Sequence, residues 1–223
     1  MASCRARIVK VIGTSVRGFE RQRAALTTAG IYATHLYSPF AGAEYVFSFG
    51  FGYLSVLYLC ATLVIGPLNF ALKRTNPVNI NLRRDTGIWA GITGCLHVVF
   101  ALRLHHRGIV LAYFFNPRGK LLLNPAGTSN WIGLVATILL VLLLLLSNQL
   151  SLRWLKGKRW KQIQRLNYVL AVLAFVHTLL YQRVGGRERG FVEATAIAAL
   201  IVLLIQFVGV SVYQGRKARH QPK

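Results

Sequence analysis

His97 and His177 each sit inside a stretch that is otherwise apolar, GIWAGITGCLHVVFALRL (Gly87–Leu104) and LNYVLAVLAFVHTLLY (Leu166–Tyr181). An ionisable side chain at membrane depth is costly, so it marks a functional-site candidate whose partner has to be named. Neutral imidazole is a common metal ligand, and a pair from facing helices makes six-coordinate haem iron of the b type. Such ligation demands equal depth, because the two ring nitrogens meet one iron from opposite faces of one porphyrin. At ~1.5 Å per residue, both histidines fall about two-thirds of the way along their helices from the same end. The bland alternative is that each imidazole only hydrogen-bonds a neighbouring helix. The matched depth of the pair weighs against it, since the desolvation cost would then be met twice without a ligand.

The rest of the chain supplies the helices that would hold this pair. Of 223 residues, 54% are apolar and 14% charged, and the mean hydropathy is +0.47. Apolar residues come in blocks. Trp131–Leu150 and Phe191–Tyr213 each reach the roughly 20 residues that cross ~30 Å of hydrocarbon. Val46–Leu72 is a longer span interrupted by Gly50, Gly52 and Gly66. With the two histidine-bearing stretches, the sequence predicts an all-α polytopic membrane bundle of five helices, or six if Leu26–Phe40, which carries His35 and Pro39, also crosses. Three regions follow: a basic, amphipathic or interfacial arm over residues 1–45, a transmembrane bundle over 46–213, and a basic tail over 214–223. The Arg-rich, acid-poor arm also has the composition of an organelle presequence.

The net charge of +22 raises nucleic acid as a partner. However, the basic residues cluster at helix ends and in loops without an aromatic-lined groove or a recognition motif, so a lipid bilayer rather than nucleic acid is the expected partner. The five acids, Glu20, Glu44, Asp85, Glu188 and Glu193, all lie outside the spans or at their edges. A carboxylate relay of the kind used by pumps therefore has nothing to work with. Cys4, Cys60 and Cys95 form neither a CxxC pair nor a zinc spacing and are expected to pack. His105 and His106 follow the end of their span beside Arg103 and Arg107 and read as solvated interface, with a weak surface metal site as the alternative. His220 in the tail reads as inert. The loop Ser151–Arg165 holds six basic residues, which makes its side the cytoplasmic one.

The stretch KRWKQIQRLNYVLAVLAFVH (Lys158–His177) and the segment LRRDTGIWAGITGCLH (Leu82–His97) resemble ferric-reductase-type transmembrane domains, in particular the haem-binding membrane subunits of bacterial methionine-sulfoxide reductase systems. The likeness covers roughly residues 55–185, including Gly66–Pro67 and the basic loop that follows. It implies a b-type haem, electron transfer across or within a bacterial inner membrane (an organelle membrane being the alternative), and an outer-side acceptor, either a periplasmic oxidoreductase subunit or ferric ion. No GxGxxG stands in a strand–helix context, so reductant would come from quinol, bound flavin or a separate cytoplasmic flavin reductase. The departures are specific. Where the family places a second histidine thirteen residues before His177, this chain has Gln164, and where two-haem relatives carry one fourteen residues before His97 it has Arg83, next to Arg84. Only one haem site, His97 with His177, is therefore expected. Arg83, Arg84 and Gln164 could instead bind a propionate, an FMN phosphate or a quinone carbonyl. At about 100° per residue a 14-residue offset returns to within ~40° of one helix face, while 13 residues lands ~140° away, so Gln164 shares a face with His177 only if the helix is locally distorted. The competing expectation is a non-enzymatic membrane protein or haem-based sensor that retains the fold.

Overall fold

The computed structural model describes residues 22, 24–32, 34, 42–72, 78–104 and 109–219. Most of the expected N-terminal arm, the histidines His35, His105, His106 and His220, and Cys4 lie outside the described residues, as does much of the sixth span weighed for Leu26–Phe40. The described chain forms seven α-helices beyond the short segment at 24–32, and a 3-10 turn at Val110–Tyr113. The α-helices are α1 (Ala43–Ala71), α2 (Val78–Leu104), α3 (Pro125–Leu145), α4 (Gln149–Trp154), α5 (Lys156–Gln164), α6 (Leu166–Val184) and α7 (Arg189–Arg219). Among the described residues five segments are long and apolar enough to cross a membrane: α1, Leu82–Leu104 of α2, α3, Lys158–Val184, and Arg189–Arg216 of α7. The protein is an integral membrane helix bundle. Large apolar side chains such as Ile138, Val172, Leu203 and Phe207 are left exposed around it, as lipid-facing positions require.

Local chemistry sets the helix ends. Asn124 caps α3 by accepting from the Gly127 amide at 2.7 Å, with Pro125 at the first helical position. The α3 helix stops at Leu145, earlier than the apolar run predicts, because Ser147 and Asn148 turn the chain into α4. Trp160 Nε1 donates to the Leu146 carbonyl at 2.9 Å, satisfying one of the acceptors freed there. Between α6 and α7 the turn needs Gly186, whose φ of 60° lies in the left-handed region, and the Arg187 amide closes it on the Gln182 carbonyl at 3.0 Å. The last helix runs on to Arg219, past the expected end at Tyr213.

The helices pack in two pairs, α1 along α2 and α3 along α6; contacts between α2 and α3 and between α1 and α7 join them. A buried core of Leu54, Tyr58, Leu59, Leu63, Ala90, Leu143, Leu170, Ala171 and Val202 fills the half of the bundle nearer the basic loop. Small residues let the backbones approach: Ser55 Oγ donates to the Ala90 carbonyl at 2.9 Å, beside Gly94, where a Cβ would stand only 2.9 Å from that hydroxyl.

Pro67 explains how α7 docks. It lacks an N–H, so the Leu63 carbonyl one turn earlier loses its helical donor. Gln206 of α7 replaces that donor, its Nε2 reaching the Leu63 oxygen at 2.6 Å. Gly209, one turn further along α7, admits the proline ring; a Cβ there would lie 2.5 Å from Pro67 Cβ. Gln206→Leu should therefore cost about 1 kcal/mol, the scale of interhelical hydrogen bonds in membranes. It should lower the thermal denaturation midpoint in detergent, and the loss should shrink in a Pro67→Ala background, where α1 regains its own donor. Equal losses in both backgrounds would refute this coupling.

Candidate functional site

The two histidines face each other across the bundle. His97 projects from α2 and His177 from α6, with ring centroids 6.3 Å apart and planes inclined at 75°. Two metal–imidazole bonds of about 2.0 Å, plus the ring radii, span about 6 Å, so the separation matches a pair of imidazoles that share one metal.

Each imidazole is held from behind in the same way. His97 Nδ1 lies 2.7 Å from the Ser48 carbonyl of α1, and His177 Nδ1 lies 2.8 Å from the Ser129 carbonyl of α3. A carbonyl oxygen can only accept, so Nδ1 carries the proton in both rings and Nε2 is left with its lone pair free to ligate. Four residues after each serine stands a glycine that backs the ring. A Cβ on Gly52 would lie 2.9 Å from His97 Nδ1, and one on Gly133 would lie 2.7 Å from His177 Cε1. Ser129, fully buried, adds its hydroxyl, 3.2 Å from the His177 carbonyl and 3.3 Å from Nδ1.

The two rings line a mostly apolar cleft together with Gly52, Val98, Gly133, Leu134 and Ala174. Polar groups gather at its end away from the basic loop. The Tyr181 ring packs against His177 with centroids 5.3 Å apart and planes tilted at 46°, and the buried Gln182 amide donates to Thr195 Oγ1 at 2.8 Å and to Tyr53 Oη at 3.4 Å while its own Oε1 has no partner. Among the described residues no three His, Cys, Asp or Glu side chains cluster closely enough to hold a bare metal ion. Two imidazoles, each with Nε2 left to ligate, facing across an apolar cleft instead suit a metal that brings its own equatorial ligands, as haem iron does.

Residues 50–175 match the family model described as "Ferric reductase like transmembrane component". The chain belongs to this ferric-reductase-like family. The matched range contains His97 and ends two residues before His177. Relatives in Salmonella paratyphi B, Salmonella newport and Salmonella heidelberg, each named "Protein-methionine-sulfoxide reductase heme-binding subunit MsrQ", are 28% identical to it over 160 residues, 70% of this chain and 74% of theirs. No solved structure matches.

The remaining expected site residues of this ferric-reductase-like chain do not join the histidine pair. Arg83 lies against Gly66 of α1, where a Cβ would come within 3.1 Å of its Nη1. Arg84 faces Asp85, its Nε 3.9 Å from the carboxylate, and that buried Nε makes no hydrogen bond. Gln164 Oε1 accepts from Asn167 at 3.0 Å, while its buried Nε2 has no partner. No hydrogen bond or ion pair links either arginine to Gln164. Between Gln164 and His177 a one-residue turn at Arg165 separates α5 from α6. Sequence reasoning missed the backing groups Ser48, Gly52, Ser129 and Gly133. Their signal was a Ser-x-x-x-Gly spacing in each helix that faces a histidine.

Val110, Tyr113 and Phe114, from the described part of the connection between α2 and α3, line this polar end. Tyr113 is buried and donates to the Ala101 carbonyl of α2 at 2.7 Å, and Asn130 of α3 donates to the Tyr113 carbonyl at 3.0 Å. The loop then folds back through a bridge between Phe115 and Leu121, with exposed Arg118 and Lys120 at its tip. Tyr113→Phe should release this segment at a cost of about 1 kcal/mol, which corresponds to a roughly five-fold faster tryptic cut at Arg118 or Lys120. Mass spectrometry of timed digests would measure it, and an unchanged rate would show that the hydroxyl does not pin the loop.

Proposed function

We propose that the protein is a membrane b-type cytochrome that passes electrons through a single haem whose axial ligands are His97 and His177. The observation that carries this reading is the opposed imidazole pair, 6.3 Å apart with both Nδ1 atoms committed to backbone carbonyls. Haem bound there would supply a one-electron couple in an apolar setting. The protein's part is to fix both tautomers, exclude water with α1, α2, α3 and α6, and keep the site nearer the end away from the basic loop. The Salmonella relatives, named as haem-binding subunits, support the haem assignment and suggest a bacterial inner membrane.

Among the described residues the half of the bundle nearer the basic loop has no second histidine pair, and its centre is filled by side chains. Electrons arriving from that side need another carrier: a quinol, an FMN or a separate cytoplasmic flavin reductase. Arg84 Nε and Gln164 Nε2, both buried donors without acceptors, support a role for Arg83, Arg84 and Gln164 in holding an acceptor-bearing group such as a flavin phosphate or a quinone carbonyl. On the other side the acceptor is a periplasmic oxidoreductase partner or ferric ion. The name of the Salmonella relatives, subunits of a protein-methionine-sulfoxide reductase, favours the former.

Reduced-minus-oxidised spectra of the purified protein and of its His97→Ala and His177→Ala variants test the ligand pair. The wild type should show a low-spin haem, and each variant should lose most of the haem or turn high-spin. A low-spin spectrum unchanged by either substitution would reject these two residues as ligands.

A further inference from the structure

The two histidines are backed by the same small device, and the device has a consequence for how they would ligate. On α1, Ser48 and Gly52 stand four residues apart, and on α3, Ser129 and Gly133 do the same. In a helix the carbonyl of the first residue accepts the amide of the residue four later. A carbonyl oxygen has two lone pairs, so it can take a second donor if that donor can reach it. A side chain on the later residue would block the approach. At Gly52 an added Cβ would stand 2.9 Å from His97 Nδ1 and 3.1 Å from Cε1; at Gly133 it would stand 2.8 Å from His177 Nδ1 and 2.7 Å from Cε1. In each case the obstruction falls on the edge of the ring that reaches the serine carbonyl.

We infer that Gly52 and Gly133 are positioning residues, notches that seat the two imidazoles on the Ser48 and Ser129 carbonyls and so hold the ring planes crossed at 75°. The inference rests on the proposed haem ligation but goes beyond it, because ligation alone leaves each ring free to rotate about its metal–nitrogen bond. A hydrogen bond from the second ring nitrogen removes that freedom and fixes the tautomer. The seats are not identical, since the Ser129 hydroxyl also touches the His177 seat at 3.2–3.3 Å, whereas the hydrogen bond to the Ser48 carbonyl is the one that holds His97.

Crossed planes have a spectroscopic signature. In low-spin ferric haem the unpaired electron occupies one of two d orbitals that overlap with the imidazole π systems. Parallel rings act on the same orbital and split the two; crossed rings act on both and leave them nearly degenerate. Near-degeneracy gives a strongly anisotropic electron paramagnetic resonance signal with one prominent low-field feature, while parallel rings give a resolved rhombic spectrum.

The test is the ferric spectrum of haem-loaded, detergent-purified protein, for the wild type and for Gly52→Ala, Gly133→Ala and Gly91→Ala. Gly91 is the control: it lies on α2 against the flexible end of Leu144, 2.9 Å from its Cδ1, and is no part of either seat. The wild type and Gly91→Ala should show the strongly anisotropic signal. Gly52→Ala and Gly133→Ala should lose it to a rhombic or high-spin spectrum. A rhombic wild-type spectrum overturns the crossed arrangement, and it does so even if neither seat variant accumulates. An anisotropic signal that survives both seat substitutions overturns the role of the glycines. The outcomes also separate the two levels of argument: protein that binds no haem defeats the proposed function, whereas a low-spin haem lost on His97→Ala but rhombic in the wild type defeats only the seats.

Discussion

A histidine Nδ1–H donating to a backbone carbonyl of the facing helix occurs twice in this bundle, and the arrangement of the other helices depends on it. In hydrocarbon an imidazole cannot leave its N–H unpaired, because no water is there to take it. The chain meets that demand with the Ser48 and Ser129 carbonyls, which draws α2 against α1 and α6 against α3. The small residues along those contacts are needed to allow the approach. With both Nδ1 atoms committed to carbonyls, each ring keeps the Nε2 lone pair and both rings line the shared cleft, so the geometry of a two-imidazole site follows from a requirement of membrane solvation.

The same requirement governs the fifth span. Pro67 removes a donor from α1, and the exposed Leu63 carbonyl is met by Gln206 from α7, with Gly209 making room for the proline ring. Polar groups within the bundle thus work in pairs across helices, and among the described residues four buried side-chain atoms are left without a hydrogen-bond partner: Arg84 Nε and Gln164 Nε2 near the basic loop, Trp131 Nε1 on α3, and Gln182 Oε1 at the far end of the cleft. All but the Gln182 oxygen are donors. In the proposed electron path the pair near the basic loop marks the end where a carrier other than this chain has to bind.

Much of this was legible in the residues. The five spans could be read from apolar blocks long enough to cross, and the meeting of His97 with His177 from their equal depth on two helices. Boundaries were less legible. The leucine run from Leu142 to Leu146 gave no sign that the helix would end there, since the stop is made by Ser147, Asn148 and a hydrogen bond from Trp160 of α5. The seats were harder still. Glycines in Val46–Leu72 look like softness in a span, and only the three-dimensional pairing shows that Gly52 is opposite His97 while Gly50 is not. Gln206 was hidden for a related reason: a lone amide in an apolar run has no visible purpose until Pro67, more than a hundred residues earlier, is found beside it.

One site, between one pair of histidines, is the central claim, and haem stoichiometry tests it most directly. Pyridine-haemochrome absorbance set against amino-acid analysis of the purified wild-type protein should give about one b-type haem per chain. Two haems per chain would mean that the half packed with Leu63, Leu143 and Leu170 opens to hold another, and none after reconstitution would return His97 and His177 to the role of helix packing.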